Sequence, residues 1–76
     1  MKLPRYISGV ELAKVLARYG YTVTRQTGSH LRLTTQTGGE HHLTIPAHSS
    51  LRIGTLNAIL GEAAQHLKRE KSDLIQ

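Results

Sequence analysis

The sequence predicts an α+β fold of order α-β-β-β-α, a three-stranded antiparallel sheet with two helices on one face. Three observations predict it. Helix-start chemistry near Ser8 is followed by an apolar stripe of helical spacing. Three stretches that alternate between apolar and polar residues come next, parted by two glycine-containing turns. A second helical stripe follows Pro46.

The first helix is signalled by Ile7-Ser8-Gly9-Val10-Glu11-Leu12. Ser8 is placed to cap the third helical amide while Glu11 reaches back to the Ser8 N–H, a capping box, and Ile7 and Leu12 have the spacing of a hydrophobic staple. Leu12, Val15, Leu16 and Tyr19 continue the apolar face, and Gly20 is suited to the left-handed conformation that stops a helix.

The strands are Thr22-Val23-Thr24, Leu31-Arg32-Leu33-Thr34 and His42-Leu43-Thr44-Ile45. Three-residue loops at Thr27-Gly28-Ser29 and Thr37-Gly38-Gly39 set Val23 opposite Leu33, Leu33 opposite Leu43, Leu31 opposite Ile45 and His30 opposite Pro46. One face is then apolar. The other carries Thr24, Arg32 and Thr44, with Gln26 and His30 beside them and Thr22, Thr34 and His42 beyond. Arg25 falls on the apolar face in this register, where its stem must snorkel to the edge. Two-residue loops would mix the faces, because a one-residue slip turns every side chain over.

After Ala47-His48-Ser49-Ser50, a helix is expected from about Gly54, with Leu56, Ile59, Leu60, Ala63 and Leu67 inward. Gly61 within it costs up to about 1 kcal/mol relative to Ala, so this helix depends on docking. One domain over residues 1–76 is expected, its core at about 7–67 and its charged tail, 68–76, frayed.

Composition narrows the functional classes. A chain of 76 residues buries only about 60% of its unfolded surface. With no Phe and no Trp, Leu, Ile, Val, Ala and three Tyr must fill the core. The absence of cysteine excludes disulfides and thiolate metal sites and suits a reducing cytoplasm. No apolar run approaches the roughly 20 residues of a membrane span, and residues 1–5 lead into no signal-like segment. The formal net charge of +5 favours polyanionic partners. No aromatic pair on the sheet offers a base-stacking platform, which argues against single-strand recognition of the RRM kind.

The residue of greatest chemical interest is His30, directly after Gly28-Ser29. An imidazole with an ordinary pKa of about 6.5 offers both protonation states near neutrality. RNA cleavage needs a base for the 2′-OH and an acid for the leaving oxygen. Arg32, two residues on along the same face, is placed to stabilise charge on a pentacoordinate phosphorus. On the residues alone, the simpler reading of His30 is a polar side chain after a turn.

The chain resembles the HicA (YcfA-like) family of bacterial toxins, mRNA interferases with a fold like the double-stranded RNA-binding domain. The resemblance runs from about Ser8 to Leu67. It rests on Ser8-Gly9-Val10-Glu11-Leu12, Gly20-Tyr21, Arg25-Gln26-Thr27-Gly28-Ser29-His30, Ile45-Pro46-Ala47-His48 and Gly54-Thr55-Leu56 in that order. It implies a catalytic role for His30, since the family's histidine follows Gly-Ser. It also implies mRNA as substrate and a HicB-type antitoxin that covers the active face. The family's loop before the last helix is richer in lysine than Ser49-Ser50-Leu51-Arg52-Ile53 here.

Around His30, the candidate assistants are Ser29, Arg32 and His48, the last in a Pro-x-His position. His48 fits a complementary acid or an RNA contact, and equally a loop histidine packed against the helix start. Arg25, Arg32 and Arg52 are candidate RNA contacts, and Gly54 and Thr55 add helix N-terminal amides that favour phosphate. Lys68 and Arg69 read as ordinary solvated charges. His41 and His42 point to opposite faces, and His42 lies four residues from His30 along the strand, roughly 13 Å away. A zinc or magnesium site is therefore not expected, and neither is any cofactor. The expected activity is a metal-independent endoribonuclease in the cytoplasm. The alternatives are a non-catalytic module binding double-stranded RNA and an inactive relative acting through protein binding.

Overall fold

The chain builds its first helix as its capping residues require. In a computed structural model, which describes residues 7–75, α1 spans Gly9–Ala17. The Ser8 hydroxyl accepts from the Glu11 N–H at 3.0 Å, and the Glu11 carboxylate accepts from the Ser8 N–H at 3.0 Å. Those two bonds satisfy amides that no helical carbonyl can reach. Replacing Ser8 by Ala is expected to lower stability by about 1 kcal/mol, read as a lower denaturant midpoint with an unchanged slope. Ile7, Leu12 and Leu16 are buried as the stripe predicts, and Gly20 takes φ 100° where the chain leaves the helix. Residues 1–6 and 76, which include the segment read for a leader, lie outside the described residues.

The sheet is antiparallel in the order β1-β2-β3, with β1 Thr22–Thr27, β2 His30–Thr35 and β3 His41–Pro46. Between β2 and β3 the predicted register holds: His30 pairs Pro46, Leu31 pairs Ile45, Arg32 pairs Thr44 and Leu33 pairs Leu43. Pairing ends at Thr35 and His41, so the loop has five residues instead of three while the register stays the same.

Between β1 and β2 the structure departs from expectation. Thr27 pairs His30, leaving a two-residue turn of Gly28 and Ser29. Gly28 has φ 55°, the positive value required at the first central position of a II′ hairpin turn. Val23 nonetheless pairs Leu33, because the register shifts by one residue between Val23 and Arg25. Thr24 is the extra residue of a β-bulge. Its hydroxyl lies 3.0 Å from that of Thr34. The bulge reconciles the short turn with the apolar row and exchanges the faces of Arg25 and Gln26. Arg25 pairs Arg32 on the polar face, and Gln26 pairs Leu31 on the helix face. Val23 keeps its row but is 50% exposed, because β1 is a sheet edge that the helices cover incompletely.

The second helix, α2, spans Ile53–Leu67. Leu56, Ile59, Leu60 and Ala63 are buried on one side of it, and both helices share one core with Leu31, Leu33, Leu43 and Ile45. Tyr21, the largest fully buried side chain, closes that core where α1 turns into β1.

The tail departs from the expected fraying. Lys68 turns the chain with a left-handed φ of 56°, and a short helix, α3 (Lys71–Leu74), folds back. Leu74 is buried in the core, and the Tyr19 hydroxyl donates to the Asp73 carbonyl. Arg69 places its guanidinium carbon 5.3 Å from the centre of the Tyr19 ring, and Lys71 Nζ donates to Asn57 Oδ1 at 2.8 Å. The charges face outward while one leucine pins the segment, a packing that a charge count conceals.

Candidate active site

His30 is the first residue of β2, and its exposure follows from the pleat. Leu31, its neighbour, is buried against the helices, so His30 and Arg32 must face solvent on the opposite side. The II′ turn brings Thr27 opposite His30, and the bulge brings Arg25 opposite Arg32. Near the hairpin turn the polar face therefore carries the His30 imidazole and two guanidinium side chains on adjacent strands. Like charges directly across a sheet destabilise it and together attract an anion.

The end of β3 is tied to this corner. The Ala47 N–H donates to the Ser29 carbonyl at 2.6 Å, next to Pro46, the partner of His30. The His48 carbonyl accepts from the Gly9 N–H at 3.0 Å, and the Leu51 N–H donates to the Ile7 carbonyl at 2.8 Å. The backbone around His48 is thus held between the His30 turn and the start of α1, while its side chain is exposed. Ser29 contributes its carbonyl to this anchor. Arg52 is exposed at the N-cap of α2 and makes no side-chain cap. Gly54 and Thr55 lie in that helix's first turn, which carries no acidic residue. None of these three hydrogen-bonds to His30, Arg25 or Arg32. They form a second basic element beyond the His48 loop.

The two histidines considered as metal ligands diverge as the pleat demands. His42 is on the polar face: its Nε2 lies 2.8 Å from the Glu40 carboxylate, and its Nδ1 is 2.9 Å from the Thr34 hydroxyl. That imidazole is the first cause holding the Glu40 carboxyl below its ordinary value. His41 faces the helices. Among the described residues, no group of three or more His, Cys, Asp or Glu is placed to hold a metal ion.

Spacing alone did not reveal what His41 does. It stacks on His66 of α2 with ring centres 4.4 Å apart and planes 12° from parallel. The Tyr21 hydroxyl lies 2.8 Å from His41 Nδ1. His66 Nε2 donates to the carbonyls of Thr37 and Gly39, at 2.9 and 3.1 Å, clamping α2 to the β2–β3 loop. Glu62, four residues before His66, lies on the same side of α2 and beside the same ring pair.

Burial, and then the neighbouring His66, hold His41 below its ordinary value of 6.5, while Glu62 opposes them. A lowered histidine pKa means that the unfolded chain binds the proton more tightly. The contribution of His41 is therefore complete above about pH 6.5 and is lost as pH falls through the lowered native value. The melting temperature is expected to drop between pH 7 and pH 5, and His41→Gln should flatten that slope. An unchanged slope in His41→Gln would contradict this assignment.

A family model described as the HicA toxin of bacterial toxin–antitoxin matches residues 9–65. The chain belongs to the HicA toxin family. The match runs from the first residue of α1, across the whole sheet, to near the end of α2. The α-β-β-β-α architecture agrees with the double-stranded-RNA-binding-domain-like fold that the resemblance implies for HicA. Membership makes the chain a toxin of a bacterial toxin–antitoxin system and implies an antitoxin as its partner. Comparison with curated proteins and with solved structures yields no match. No helix among the described residues is long and apolar enough to cross a membrane.

Proposed function

We propose that this HicA toxin is a metal-independent endoribonuclease that cleaves mRNA with His30 as its central acid/base. The carrying observation is that the histidine after Gly28-Ser29 stands exposed on the polar sheet face, in a chain matched by the HicA family along 9–65. His30 takes the proton of a ribose 2′-OH, whose oxygen attacks the adjacent phosphorus. The bond from phosphorus to the 5′ oxygen breaks, leaving a 2′,3′-cyclic phosphate and a free 5′-OH. A proton from an acid completes the leaving group, and His48, tethered to the same sheet corner, supports that role.

Arg32 and Arg25 stabilise the additional negative charge that develops on the phosphoryl oxygens, and Ser29 holds the turn that presents His30. Arg52, with the amides at Gly54 and Thr55, binds a neighbouring phosphate at the α2 N-terminus. An imidazole supplies proton transfer without a Lewis acid, so no cofactor enters this scheme. A HicB-like antitoxin in the cytoplasm neutralises the toxin.

Expression of the chain tests the reading through growth and RNA integrity, with purified protein assayed in EDTA. Growth arrest and RNA cleavage that persists in EDTA are expected. Intact RNA with normal growth sinks the ribonuclease, and loss of cleavage in EDTA sinks the metal-free step. RNA that is bound but uncut favours a double-stranded-RNA-binding module instead.

A further inference from the structure

The side of α1 that faces β1 does not close on it. The two-residue turn puts Gln26, a polar side chain, on the helix side opposite Leu31. From α1 the floor of the same space receives the small side chains Ala13 and Ala17, with Val10 and Lys14 at its rim. What remains is a groove of about 420 Å³, lined mainly by alkyl groups and with Leu31 and Tyr21 among its walls. Val10 and Val23 border it from opposite sides, each 50% exposed. They are two of only three large apolar side chains exposed among the described residues. Two half-exposed valines flanking an apolar groove beside a sheet edge offer another molecule an apolar seat.

Charge decides between the possible occupants. Lys14 lines the groove and Arg18 lies four residues further along the same helical segment, both exposed. Among the described residues neither has a carboxylate within ion-pair distance, although Glu11 lies near enough for Lys14 to lower its pKa; the one ion pair joins His42 to Glu40. A second copy of this chain would bring the same +5 charge against that rim. Nucleic acid would meet the lysine but has nothing to place among the valines and alanines. An acidic polypeptide presenting an apolar side chain satisfies both features.

We infer that the groove between α1 and β1 is the anchoring site of the antitoxin, which inserts an apolar side chain between Val10 and Val23 and sets carboxylates against Lys14. The inference rests on the toxin reading above and adds where the partner grips. β1 is the edge of the sheet and Arg25 faces its other side. A partner seated in the groove therefore has to cross one strand to reach the face of Arg32 and His30. Affinity and occlusion of the active face are then carried by different residues, and the two can be separated by mutation.

The test mixes this chain with its cognate HicB-type antitoxin. The double variant Val10→Glu, Val23→Glu is expected to weaken antitoxin binding by about 30-fold or more. Its own RNA cleavage and growth arrest stay at the wild-type level, so co-expressed antitoxin no longer rescues growth. Val23→Thr, which keeps the strand-compatible shape, guards against a folding defect and should weaken binding by about 10-fold or less. Wild-type affinity in the double variant, with its fold intact by circular dichroism, overturns the proposal. So does loss of RNA binding with antitoxin binding retained, or a wild-type dimer that only the double variant breaks. A wild-type chain that is inert on RNA, yet binds antitoxin through the groove, overturns the ribonuclease and leaves the anchoring site standing.

Discussion

His30→Ala is expected to lower RNA cleavage by about 10²–10⁴-fold, the range that one positioned acid/base contributes, and to abolish growth arrest. The fold should not register the change. His30 is exposed and makes no side-chain hydrogen bond among the described residues, so the melting temperature should stay within the small range of surface substitutions. That combination separates chemistry from stability. Arg32→Ala and Arg25→Ala should instead weaken RNA binding and reduce its salt dependence, each by about 0.7 in slope for a lost single-strand phosphate contact. Cleavage at the wild-type rate by His30→Ala would remove His30 from the mechanism. A parallel loss of melting temperature would mean that the residue is structural.

Gly9→Ala should be strongly damaging, because the atoms its methyl group meets are backbone. Gly9 is buried in the first turn of α1, and its N–H donates to the His48 carbonyl. A β-carbon there would lie 3.0 Å from the Pro46 carbonyl carbon and 3.1 Å from Ala47 Cα, with the Pro46 oxygen closer still. These are backbone atoms and cannot rotate away. Either α1 or the end of β3 must move, which costs about 1–3 kcal/mol or more by overpacking. A domain of this size holds only about 4–11 kcal/mol in total, so a drop of about 5–20 °C in melting temperature is expected.

The functional consequence of Gly9→Ala should exceed its effect on stability. Ala47 is bonded to the Ser29 carbonyl, so displacing residues 46–48 disturbs the corner that presents His30. Cleavage should fall even at temperatures where the variant is fully folded. Gly61→Ala provides the contrast: a β-carbon at Gly61 meets nothing within 4 Å, so it should raise stability by up to about 1 kcal/mol. A melting temperature for Gly9→Ala equal to that of the wild type would show that α1 and the end of β3 do not press on each other at Gly9.

Much of this architecture was legible in the sequence because its causes are local. Ser8 and Glu11 specify a helix start through bonds three residues apart. The alternation of Leu31, Leu33, Leu43 and Ile45 specifies which face of β2 and β3 is buried, and the β2–β3 register follows from it. Arg25 shows the limit of that logic. Its face depends on the number of residues in a turn three positions away and on a bulge at Thr24, and neither leaves a mark in the apolar pattern. A three-residue turn without a bulge and a two-residue turn with one set Val23 opposite Leu33 equally well, yet they send Arg25 to opposite faces.

The sequence by itself determined the order of elements, the buried face of the central strands and the exposed position of His30, since each follows from periodicity and capping within a few residues. Only the tertiary structure decided what depends on contacts between distant residues. It brought Arg25 beside Arg32, stacked His41 on His66 across 25 positions and buried Leu74 under a charged tail. It also left Val10 and Val23 uncovered on either side of a groove. The physical reason is common to all four. A bulge, a ring stack, a buried leucine and a gap each come from how two segments meet, and no single segment's pattern records the surface of the other.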